Sequence, residues 1–88
     1  MVQFEIKTPT LSSIRESENV PPGWQSARGK VKKVRVKNKE ILRELRRRLP
    51  GDWRKVYQRG TDGSSVHYFE HKSTGKVWGV RYQPPGEG

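Results

Sequence analysis

Between Asp52 and Tyr82 the chain reads DWRKVYQRGTDGSSVHYFEHKSTGKVWGVRY, three β-rich runs split by the polar, Gly-containing segments Arg59–Ser64 and Lys72–Gly75. Runs of Val, Tyr, Phe and Trp bounded by turn residues predict an antiparallel three-stranded meander, with strands near 53–58, 65–71 and 76–82. Two of the three Trp, all three Tyr, one of the two Phe and both His fall here. The rest of the chain has to be arranged around this stretch.

A four-residue loop Lys72-Ser73-Thr74-Gly75 on a type I turn, with Gly75 at φ > 0, sets His71 opposite Lys76, Phe69 opposite Trp78 and His67 opposite Val80. Side chains alternate across a strand, so Ser65, His67, Phe69, Trp78, Val80 and Tyr82 are expected on one face, and Val66, Tyr68, Val77 and Arg81 on the other. A slip of one residue would exchange the two sets.

Arg28 to Arg48 holds eleven Lys/Arg against only Glu40 and Glu44. Its first half, Lys30–Lys37, carries Val31, Val34 and Val36 and is expected to be extended. The second half predicts a helix: Asn38 caps it, Ile41, Leu42, Leu45 and Leu49 form one stripe, and Pro50-Gly51 stops it. Burying that stripe on the sheet gives an α+β fold, one amphipathic helix packed on a three-stranded antiparallel β-meander. Val2, Phe4 and Ile6 alternate with polar residues and supply a candidate extra N-terminal strand. The expected organisation is an N-terminal strand and flexible, Pro-containing connector over 1–29, a basic α+β domain over 30–82 and a disordered tail over 83–88. Trp24 either anchors the connector to the body or waits for a partner, with anchoring favoured.

Composition narrows the function classes. Without cysteine there is no disulfide framework and no thiolate zinc site, and two His form a poor metal set, so no cofactor is expected. No apolar run nears the roughly 18 residues that span a bilayer, which leaves a soluble, cytoplasmic protein as the expectation. The formal net charge is +10, with a pI near 10.4. Such a field draws polyanions, with RNA expected over DNA; a merely soluble basic surface is the plainer alternative.

Candidate phosphate ligands are Lys30, Lys32, Lys33, Arg35, Lys37, Arg46, Arg47, Arg54, Arg59 and Arg81. Phe69, Trp78 and Tyr82 are candidate stacking surfaces for bases, against the plainer expectation that most rings in so small a body are core. His67 and His71 share a strand face but stand about 13 Å apart by strand rise, too far for one metal. Either could act singly as a general acid or base; His67, near Ser64, Ser65 and the Gly60–Gly63 loop, is the better placed.

Ile41 to Tyr82 resembles the HicA-type toxins, messenger-RNA interferases with a double-stranded-RNA-binding-like fold. The likeness rests on the helix ILRELRRRL, the step Gly51-Asp52-Trp53, the strand Arg54–Gly60, the turn Gly63-Ser64-Ser65-Val66-His67, then Tyr68-Phe69-Glu70-His71 and Val77–Tyr82. It implies a metal-independent endoribonuclease with His67 in the catalytic place and an antitoxin-like protein partner. Leu49 to Pro84 also looks like a WW module, on Leu49-Pro50, Trp53, Tyr68-Phe69, His71 with Ser73 or Thr74, Trp78 and Pro84. That likeness implies a proline-rich peptide gripped by Tyr68 and Trp78. A protein-only adaptor, using Trp24, is a further alternative.

Overall fold

The computed structural model describes residues 19–86. Five elements follow one another: strand β1 (Ser26–Arg35), helix α1 (Lys39–Arg48), and strands β2 (Trp53–Gly60), β3 (Ser65–His71) and β4 (Val77–Gln83). The strands form one open antiparallel sheet in the order β1-β2-β3-β4. The fold is α+β, and the sheet has four strands where three were expected. The fourth is the basic segment itself: Val31 to Arg35 pair with Gln58 to Arg54. The alternating residues 2–6, expected as the extra strand, lie outside the described residues.

Helix α1 begins where its cap is. The Asn38 side-chain oxygen accepts from the amides of Glu40 (2.9 Å) and Ile41 (3.0 Å), satisfying donors that have no partner within the helix. Its last turn, Arg46-Arg47-Arg48, puts positive charge at the negative end of the helix dipole. Beyond Pro50, the chain reverses at Gly51 (φ 127°), where a Cβ would stand 2.7 Å from the His71 ring. The helix buries Leu45 with Leu42 and Leu49 against Val36, Trp53, Phe69 and Trp78. This cluster covers one end of one sheet face, here called the front.

The back face carries a second cluster. Val56 and Val66, both fully buried, pack with Tyr68, Val77 and Val80, and Tyr82 borders them. Val20 and Trp24 close over this group, so Trp24 anchors the expected connector to the body. The Trp24 indole N–H donates to Ser64 Oγ (2.7 Å), and the Ser64 hydroxyl donates in turn to Asp62. The Ser64 hydroxyl, then its amide, hold the Asp62 carboxyl below its ordinary value. Gly60 leaves room for the indole, since a Cβ there would meet its nitrogen at 2.6 Å.

One expected pairing is wrong. Phe69 faces Trp78 as expected, and the His71 amide donates to Lys76 O (2.8 Å), but His67 pairs with Arg81 and not with Val80. Between these pairs Tyr68 alone opposes Gly79 and Val80, a bulge for which Gly79 supplies φ 70°. The extra residue turns Val80 and Tyr82 to the back face and Arg81 to the front. Among the described residues no helix is long and apolar enough to cross a membrane.

Candidate functional site

Register places Lys32, Tyr57, His67 and Arg81 side by side on β1, β2, β3 and β4, one transverse row across the front face. The Tyr57 and His67 rings stack with centroids 5.6 Å apart and planes inclined by 28°. Tyr57 remains 38% exposed. On one side of the row stand Lys55 and Phe69, then the helix; on the other stand Arg59, Ser65 and Gln83. Lys30, Lys32, Arg59 and His67 line one open groove of about 490 Å³ with Tyr57. Ligand sites commonly measure about 300 to 1,000 Å³.

No Asp or Glu occupies a front-facing position of the paired strands among the described residues. Lys55 Nζ sits 5.3 Å from the Tyr57 centroid and 5.6 Å from that of Phe69, within cation–π range of both rings. Burial, and then the charges of Lys55 and Arg81, lower the His67 pKa below its ordinary 6.5. Its imidazole is therefore neutral at pH 7 and able to accept a proton, beside cations that would stabilise negative charge.

The other candidates are dispersed. Lys33, Arg35 and Arg54 point to the back face, where Glu70 takes Arg54 Nε at 2.7 Å and Lys33 Nζ at 3.5 Å. Arg46 donates to Gly51 O (3.0 Å) and lies 3.5 Å from Asp52, while Arg47 pairs with Glu44 at 3.3 Å. Lys37 lies in the exposed link before α1. Phe69 and Trp78 are half-buried under the helix cluster, and the Arg48 guanidinium covers the Trp78 ring at 4.2 Å. Tyr82 belongs to the back. Tyr68 and Trp78, which the WW likeness pairs, fall on opposite faces, and Tyr68 is 5% exposed.

His71 is 3% exposed, edge-on to Trp53. Its Nε2 lies 2.8 Å from the Pro50 carbonyl, which can only accept, so that nitrogen carries the proton. Nδ1 lies 2.8 Å from the Thr74 hydroxyl, its hydrogen-bond partner. The ring ties two turns together and has no nitrogen left for chemistry. Among the described residues no group of three or more His, Cys, Asp or Glu could hold a metal.

Tyr57 and Lys55 were missed from the sequence. The signal was there: alternation from an inward Trp53 puts Lys55, Tyr57 and Arg59 on its face, and the β2–β3 hairpin lays Tyr57 against His67. Comparison of the chain with family models, with curated proteins and with solved structures finds no match.

Proposed function

We propose that this chain is a nucleic-acid-binding domain that holds RNA on the front face of its sheet. The observation that carries the reading is the transverse row, in which cations flank a stacked aromatic pair on a face to which the paired strands, among the described residues, present no carboxylate. Fixed cations of one sign attract phosphates, and an exposed ring beside them accepts a base. Four phosphate contacts, from Lys32, Lys55, Arg59 and Arg81, give a salt slope of about −2.8 on a single strand, or about 50-fold weaker binding between 50 and 200 mM salt. Fluorescence anisotropy with a short labelled RNA measures it. Affinity unchanged over that range rejects the reading.

A second reading, cleavage of the bound RNA, is favoured by one observation: the His67 ring lies next to Arg81 and diagonal to Lys55, where burial and then these charges lower its pKa. As general base it would take the proton of a ribose 2′-hydroxyl. The 2′-oxygen would then bond to the adjacent phosphorus as the bond to the 5′-oxygen breaks, and the leaving oxygen would take a proton from solvent. Incubation of labelled RNA with the chain and with His67→Ala tests it. Intact RNA with both proteins leaves a binder alone.

A further inference from the structure

We infer that the front face takes a single strand of RNA and not a duplex, with one base laid on the Tyr57–His67 pair and the backbone held by the cations at either end of the row. The inference rests on the binding reading above and gives it a substrate class.

The first ground is the kind of contact the site offers. A base can lie on a side-chain ring only after leaving its own helical stack, which unpaired nucleotides do readily. The Tyr57 ring, 38% exposed and backed by His67, is such a surface, and the pair is flanked across the strands by Lys32 beside Tyr57 and Arg81 beside His67.

The second ground is size. Four strands at about 4.8 Å spacing make the row from Lys32 to Arg81 about 14 Å wide, and from Lys55 to Arg59 the uncovered face runs about 13 Å along β2. Helix α1 stands on the same face beyond Lys55, packed on Trp53, Phe69 and Trp78. The open patch is thus a short trough with a wall. Shape recognition of double-stranded RNA extends over about 16 base pairs and two minor grooves, whereas single-strand sites begin at about 4 nucleotides. The patch fits the smaller footprint.

The third ground is where the remaining charge goes. Lys33 and Arg54 share the Glu70 carboxylate on the back face, and Arg46 and Arg47 pair with Asp52 and Glu44. Those four are thereby drawn away from the row, which leaves Lys32 and Arg81, with Lys55 and Arg59 beside them, as the cations around the Tyr57–His67 pair.

The full chain is titrated at low salt with a 12-nucleotide RNA carrying one fluorescent adenine analogue, and with the same strand annealed to its complement. The single strand is expected to bind at least tenfold more tightly, with quenching of the analogue as it stacks. Tyr57→Ala should weaken single-strand binding about 5- to 140-fold, the range for losing one stacked base. Tyr57→Phe, which keeps the ring, should recover most of that loss. Duplex binding equal to or tighter than single-strand binding overturns the inference but leaves salt-sensitive nucleic-acid binding standing. No binding of either ligand overturns both.

Discussion

The Tyr57 and His67 rings lie 5.6 Å apart across the β2–β3 ladder, and that contact depends on residues far from either ring. Trp53 buries the start of β2 under the helix, so alternation carries Tyr57 outward to the front. The bulge at Gly79 brings Arg81 to the far side of His67. The pair, Tyr57 exposed and His67 half-buried, thus lies between Lys32 and Arg81.

Charge on the front should matter for binding, and charge on the back should not. Arg81→Ala is expected to weaken RNA binding and reduce the salt slope by about 0.7, the share of one phosphate contact on a single strand. Lys33→Ala, which removes a cation already held by Glu70, should leave affinity within about twofold. Anisotropy titrations at several salt concentrations compare them. Equal losses would mean that the row has no privileged role.

Gly79 is where sheet register meets the site. Its φ of 70° costs an L-residue roughly 1 to 2 kcal/mol, while the space around it is ordinary, the nearest atom to an added Cβ being 3.5 Å away on Phe69. Gly79→Ala should therefore lower stability by about that amount in urea unfolding. If the bulge relaxes to escape the strain, Arg81 turns from the front and RNA affinity falls with it. A variant as stable as wild type would remove the bulge as a determinant of register.

The Trp24–Ser64 bond ties the chain before β1 to the β2–β3 turn. Ser64→Ala leaves a buried indole N–H without its acceptor and is expected to cost roughly 1 to 3 kcal/mol. Trp24→Ala also empties the back-face cluster and should cost about 3 to 5 kcal/mol. Chemical unfolding of the full chain reads both. A loss below about 0.5 kcal/mol for Trp24→Ala would show that the segment lies on the sheet without supporting it.

His67 makes stability depend on pH in a stated direction. Its folded pKa lies below the ordinary 6.5, so between the two values the unfolded chain binds more protons than the native one. This contribution is complete above pH 6.5 and is lost as pH falls through the folded value. Urea midpoints at pH 7.5 and pH 5 should therefore drop more for the wild type than for His67→Gln. Parallel slopes would mean that neither the partial burial nor Lys55 and Arg81 weigh on the ring.

Much of the framework was readable because it is local. Asn38, the stripe Ile41, Leu42, Leu45 and Leu49, and the stop at Pro50-Gly51 define α1 within one stretch of chain, and the structure places the helix at Lys39–Arg48. The strands and the Lys72–Gly75 turn were readable for the same reason: alternation and turn chemistry act over a few residues. Local pattern even paired Phe69 with Trp78.

What failed was whatever required counting across strands. Gly79 could be read as an ordinary residue of β4, and on that count Val80 and Tyr82 stood beside His67; one extra residue sends them to the core and puts Arg81 there instead. Phe69 and Trp78 were candidate stacking rings against the plainer expectation of core, and the helix packs over them. The sequence by itself determined a capped amphipathic helix, β-rich runs and a large excess of positive charge, since those follow from neighbouring residues and composition. Only the tertiary structure decided which cations meet on one face and that Tyr57 stays open between them, because a side chain's face is set by register with strands distant in the chain and by what packs above them.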